Sequence, residues 1–141
     1  MELKKIDTIF SVCKIQDLSK VNWESKFCFI GKTDEEISLV CPIMDVPSNA
    51  IEREDGWRAF RIQGVLDFSL VGVLAKLSAL LAEKGIGIFA ISTFNTDYIL
   101  TKEENFSFAL EILSQSGYQV ICFFEILLFY IDKENSTCVV L

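Results

Sequence analysis

The stretch FSLVGVLAKLSALLAEKG, residues 68–85, constrains the fold more than any other part of the chain. Leu70, Val73, Leu74, Leu77, Leu80 and Leu81 recur at helical spacing and form one apolar stripe. Asp67 or Ser69 is placed to cap the start, and Gly85 to take the left-handed position after the end. Strand patterns stand on both sides. Before the helix, GWRAFRIQGVLD alternates Phe60, Ile62 and Gly64 with Ala59, Arg61 and Gln63, a strand with one buried face. After it, IGIFAIST is nearly all apolar, which predicts a central strand. DYILT is a third strand, reached by a tight Phe94-Asn95-Thr96 connection.

Thr101 and Glu104 have the spacing of a capping box and open a second helix, with Phe106, Ala109, Leu110 and Leu113 as its core residues. Gly117 stops that helix, and YQVICFF is a fourth strand. The order is β-α-β-β-α-β, the ferredoxin-like split arrangement of an α+β fold, in which two helices cover one face of an antiparallel sheet.

The first half is less regular. DTIFSVCKIQ, SKFCFIGKT and EISLVCP read as strands, IMDV between Pro42 and Pro47 as a helical turn or loop, and SNAIEREDG as a polar connector. DLSKVNW leaves room for a turn or two, so this half resembles a shortened relative of the second without a full first helix. No strong sequence repeat joins the halves. The boundaries that follow are an abbreviated unit over 1–52, a full unit over 53–122, and a tail over 123–141 that is either an extra strand or an interface segment.

Composition narrows the function. The chain of 141 residues is 51% hydrophobic, ample for a core, and carries a formal net charge of −7. That charge disfavours phosphate backbones and anionic lipid. Histidine is absent, which removes Cys-His and Ser-His catalysis and histidine-ligated zinc. The five cysteines, Cys13, Cys28, Cys41, Cys122 and Cys138, include no pair separated by two residues and read as free thiols in a reducing cytoplasm. The N-terminus lacks the apolar core of a signal peptide. The longest apolar run, 120–131, is interrupted by Glu125 and is shorter than the ~20 residues of a spanning helix. A soluble cytoplasmic protein is expected, with no cofactor and no metal. NST at Asn135 and the terminal CVVL match modification patterns but are given no role.

Two motifs resemble a known family. LDFSLVGVLA (66–75) and GIFAISTFNTDYIL (87–100) are similar to the ACT domain, a small-molecule-binding regulatory module. The resemblance covers roughly 56–120. It is strongest to small bacterial tandem ACT-like proteins, to the ACT domains of cytosolic arginine sensors, and to aspartate kinase regulatory domains. In the first half, SVCKI, EISLVCP and the VP that follows are similar to the N-terminal unit of those small proteins. The resemblance implies two ACT-like units per chain, pairing of sheets between units or subunits, and amino-acid binding at an interface between units.

The residues suit that ligand by their own chemistry. The free N–H groups of a first helical turn, around Phe68, Ser69 and Leu70, favour a carboxylate, while Asp67 offers a fixed negative charge to an ammonium. The alternative for Asp67 is a simple N-cap. Ser92, Thr93, Phe94, Asn95, Thr96 and Asp97 crowd a strand end and its turn. Ser92, Thr93, Asn95 and Thr96 can serve a ligand's polar atoms and Asp97 a cation, or Asn95 and Asp97 can bond their own backbone as turn residues. Arg58 and Arg61 read as solvated or acid-paired, Trp23 and Trp57 as core or interface fillers.

The expectation is a non-catalytic sensor of a small amino acid, working as a homodimer, with no nucleic-acid or membrane partner. The alternative is a ligand-free dimerisation or interaction module. An enzyme using Asp67 with Lys76 or Cys122 lacks any nucleophile-base motif.

Overall fold

The computed structural model describes residues 1–63 and 72–121. Among these residues seven strands and two helices follow one another: β1 (Glu2–Ile15), β2 (Phe29–Lys32), β3 (Ile37–Pro42), a 3-10 turn (Ile43–Asp45), β4 (Ala50–Ile62), α1 (Val73–Glu83), β5 (Phe89–Ser92), β6 (Asp97–Lys102), α2 (Glu103–Gln115) and β7 (Gln119–Ile121). This is a sheet-dominated α+β fold. The chain divides into two compact units, Met1–Asp7 with Ala59–Leu141, and Thr8–Arg58. β1 and β4 each contribute residues to both.

In the first unit the strand order is β5-β6-β4-β1-β7. The element order from β4 to β7 is the β-α-β-β-α-β series expected from the sequence. The fourth strand of that series does not lie beside the first. β7 runs parallel to the start of β1, pairing Glu2 with Gln119 and Lys4 with Ile121, and β1 separates it from β4. Leu3, fully buried, joins a core of Phe60, Ile62, Leu77, Leu81, Ile99, Phe106, Ala109 and Leu113. The four core residues expected on α2 are all buried. Both helices end the same way. Gly85 (φ 73°) and Gly117 (φ 97°) occupy the left-handed position. Ile86 N–H then bonds the Leu81 carbonyl and Tyr118 N–H the Leu113 carbonyl, both at 3.0 Å, while Gly85 and Gly117 bond Ala82 and Ser114. That is the Schellman pattern, and each helix closes it with an apolar contact, Ile86 or Tyr118 against the core.

In the second unit the strand order is β2-β3-β1-β4. β1 and β3 pair antiparallel from Phe10 opposite Pro42 to Lys14 opposite Ser38. Cys13, Ile15, Val21, Leu39 and Cys41 form its core, and the Phe10 and Phe27 rings meet edge to face at 5.7 Å.

Several expectations change. SNAIEREDG is no connector: from Ala50 onward it is β4, which continues without a break to Ile62. Glu, Arg and Asp have low strand propensity, but a neighbouring strand overrides it; the Arg53 guanidinium also grips Asp55 two residues on, at 3.0 Å. Gly56 takes φ 87° inside the strand. β5 is an edge strand among the described residues, not a central one. α1 begins at Val73 with Gly72 (φ 82°) at the N-cap and no side-chain cap bond; Asp67 and Ser69, the caps expected from the sequence, lie outside the described residues. α2 has Lys102 at its N-cap, again without a side-chain cap bond. The Thr101 hydroxyl is buried and donates to the Lys102 carbonyl instead, so no capping box forms. Trp23 is 63% exposed and fills no core.

Candidate functional site

Of the ten residues the sequence nominates, Asp67, Phe68, Ser69 and Leu70 lie outside the described residues. The other six, Ser92 to Asp97, form the end of β5, its turn and the start of β6. Ser92 faces Asp97 across the β5–β6 ladder. The Thr93 N–H and hydroxyl both donate to the Thr96 carbonyl at 2.8 Å, and the Thr96 N–H returns to the Thr93 hydroxyl at 3.3 Å. The Thr96 side chain turns inward, 8% exposed, and donates to the Ile62 carbonyl of β4 at 2.6 Å.

The turn's hydrogen bonds thus fall on Thr93 and Thr96. Among the described residues, the Asn95 and Asp97 side chains make none, contrary to the simple turn reading. Ser92, Asn95 and half-buried Asp97 keep hydrogen-bonding capacity for something else, and Phe94 stands 83% exposed at the tip. Arg61 on β4 is spent on a neighbour rather than on an acid: its guanidinium donates to the Tyr98 hydroxyl at 3.2 Å and lies over the Tyr98 ring.

The same turn occurs 60 residues earlier. Thr33 N–H donates to the Glu36 carbonyl at 2.9 Å, and Glu36 N–H returns to the Thr33 hydroxyl at 3.2 Å. The strands that follow, ISLVCP and DYILTK, have identical burial patterns. A second correspondence precedes these turns. Asp17-Leu18-Ser19 follows β1 as Asp67-Phe68-Ser69 follows β4 in sequence. Asp17 stands 12 residues before Phe29 and Asp67 22 before Phe89; the difference, 10, is about the length of α1, 11 residues.

These repeats escaped the sequence reading because the missing helix shifts the register between them. In its own loop, the Asp17 carboxylate accepts from the Ser19 N–H (2.9 Å), from the Ser19 hydroxyl, and from the Asn49 amide (3.1 Å). The Ser19 bonds, above all, hold its pKa below the usual carboxylate value.

An open cavity of about 330 Å³ lies at the start of α1 and the end of α2, lined by Met1, Gly72, Val73, Lys76, Ser116, Gly117 and Tyr118. None of the Ser92–Asp97 residues lines it. The free first-turn amides of the described helix belong to Val73 and the residues just after it, with Lys76 nearby; residues 68–71 lie outside the described residues.

Among the described residues no group of three or more Cys, Asp or Glu is arranged to hold a metal, and no helix is long and apolar enough to cross a membrane.

Comparison with known proteins adds to this geometry. An ACT domain family model matches residues 52–115. The crystal structure of protein Atu0741 from Agobacterium tumefaciens is similar over 86% of this chain and 92% of its own, with TM-score 0.74 and 26% identity. An aspartokinase structure of alpha and beta subunits is similar over 82% of this chain and 96% of its own, with TM-score 0.58 and 18% identity. The aspartate kinase of Clostridium acetobutylicum shares the fold over 77% of this chain and 32% of its own, with TM-score 0.55 and 14% identity. No curated protein matches the chain. Over residues 52–115, a little under half of its length, the chain is similar to the ACT domain family.

Proposed function

We propose that the protein is a non-catalytic regulatory module that binds a free amino acid where ACT units of two copies meet, in a cytoplasmic homodimer. The observation that carries the reading is the ACT domain match over 52–115, the portion that holds both the 67–70 segment and the Ser92–Asp97 turn. The Clostridium acetobutylicum aspartate kinase, whose fold is similar, is described as an allosteric enzyme, which supports a regulatory role by analogy.

In this reading the first 52 residues are an abbreviated ACT-like unit. The repeated Asp-x-Ser loop, the repeated threonine turn and the ten-residue deficit at the helix support that assignment. Asp67 takes the ligand's ammonium, helix-start amides take its carboxylate, and the free side chains of Ser92, Asn95 and Asp97 reach its polar atoms. Differential affinity for two arrangements of the paired copies is then the output.

The experiment is a thermal-shift screen against the proteinogenic amino acids, with Asp67→Ala beside the natural protein. A ligand at 100 times its Kd adds about 2.7 kcal/mol of stability. A shift lost in Asp67→Ala supports the site as assigned. A shift retained there keeps the sensor and moves its anchor away from Asp67. No shift with any amino acid removes the sensor reading.

One observation favours a second reading, a ligand-free dimerisation module. β5 is an edge strand among the described residues, and residues 85–96 carry no charge in a chain of net charge −7. An uncharged edge is where two acidic copies repel least, and nothing in its sequence guards it against strand pairing. Dimerisation that no amino acid alters supports this reading.

A further inference from the structure

Cysteines cluster in the Thr8–Arg58 unit, in a part of the molecule that the amino-acid reading does not use. In the β1–β3 ladder Ser11 faces Cys41 and Cys13 faces Leu39. Directly opposed residues share a face, and so do residues two apart on one strand, so Cys13 and Cys41 are diagonal neighbours on the same face. Both are free thiols, 3% and 2% exposed.

A hydrogen-bonded chain leads from this pair toward solvent. The Cys13 thiol donates to the Ser11 hydroxyl oxygen at 3.7 Å. Ser11, itself fully buried, donates to the Asp55 carboxylate at 2.6 Å. Asp55, half exposed, is held by both arms of Arg53. A proton leaving Cys13 therefore has a route to the surface.

The two thiols also differ. The hydrogen bond with the neighbouring Cys41 thiol, aided by the Arg53 charge and opposed by burial and the Asp55 charge, brings the Cys13 pKa down to about 6. The interaction with Cys13, burial and the nearby negative charge of Asp45 push Cys41 up. One sulfur is thus set to attack and its neighbour to remain a thiol until called on.

We propose that Cys13 and Cys41 are a peroxide-oxidisable dithiol that closes into a disulfide between β1 and β3. The Cys13 thiolate attacks one oxygen of hydrogen peroxide. The O–O bond breaks, Cys13 becomes a sulfenic acid, and the departing hydroxide takes a proton to leave as water. The Cys41 sulfur then attacks the Cys13 sulfur, the S–O bond breaks, and a second water leaves with the Cys41 proton. Two thiols and one peroxide become one disulfide and two waters.

Diagonal positions in a ladder lie at about 7–8 Å between Cα atoms, beyond the usual disulfide span. Closure therefore slides β1 against β3, and the strained bond is readily reduced again. Only a small oxidant suits so buried a pair, which is why the peroxide class is named.

The test uses the full chain, reduced and then exposed to hydrogen peroxide, with remaining thiols alkylated under denaturing conditions and all five cysteines mapped by mass spectrometry. The expected result is a Cys13–Cys41 linked peptide that dithiothreitol abolishes, with Cys28 alkylated. In Cys41→Ser the Cys13 sulfenic acid has no partner and is trapped by dimedone added with the denaturant. Because the linkage is read in the natural protein, the outcome does not depend on whether a variant folds. Alkylation of both Cys13 and Cys41 after peroxide overturns the proposal, as does a bridge that joins either to Cys28, Cys122 or Cys138.

Discussion

The Thr96 hydroxyl donates to the Ile62 carbonyl at 2.6 Å, tying the turn between β5 and β6 to β4. The side chain is 8% exposed, so water does not replace this bond if it is removed. Thr96→Val keeps the shape but leaves the carbonyl without its partner. A loss of about 1–3 kcal/mol is expected from urea denaturation midpoints. Thr96→Ser keeps the donor and should recover most of that loss. Equal stability of Thr96→Val and the natural protein would show that the bond contributes nothing.

The helix ends allow a cleaner test of backbone geometry. Gly85 has φ 73°, and an added Cβ meets nothing within 4 Å. The cost of Gly85→Ala is therefore conformational, with no clash, and is expected at roughly 1–2 kcal/mol. Gly87 is equally open but has no positive φ. Gly87→Ala should fall within about 0.5 kcal/mol of the natural protein, or above it, because it restricts only the unfolded chain. Similar losses in both variants would mean that helix termination is not set at Gly85.

The parts of the fold that were legible from sequence are those where local pattern and tertiary demand agree. The stripe from Val73 to Leu81 and the α2 core from Phe106 to Leu113 become buried helix faces, and Gly85 and Gly117 end the helices as their backbone freedom suggests. The misread parts are those where a neighbour decides. Glu52 to Asp55 look like a loop by propensity and become strand in β4. Gly72 is invisible as a helix start because its role is a left-handed turn, not a side-chain cap. In the candidate site, Thr93 and Thr96 carry the turn bonds that composition assigned to Asn95 and Asp97, since only the threonines stand at the turn's two closing positions.

The thiol pair makes stability depend on pH. Cys13 titrates near 6 in the folded chain against an ordinary thiol value of 9.0. Between those values the unfolded chain holds a proton that the folded chain has released, so stability rises with pH. Cys41 is shifted the other way. Above pH 9 the unfolded chain loses a proton that folded Cys41 retains, and stability falls again. Urea midpoints under reducing conditions should pass through a maximum near pH 9. Cys13→Ser should remove the rising limb. A flat profile from 6 to 9 in the natural protein would show that Cys13 keeps an ordinary pKa.

Phe94 separates the two functional readings. It is 83% exposed at the turn tip, so Phe94→Ser should change stability by no more than about 0.5 kcal/mol. If the turn lines an amino-acid site, losing the ring weakens binding, and the thermal shift at fixed ligand concentration shrinks while the dimer persists. If β5 and its turn are instead a ligand-free interface, the ring is an apolar anchor and its loss drives the dimer toward monomer. Sedimentation velocity on both proteins, with and without any amino acid that shifts the melting temperature, distinguishes these outcomes. An unchanged dimer together with an unchanged ligand response would remove the Phe94 turn from both readings and leave the open cavity beside Gly72 and Lys76 as the place to look for the ligand.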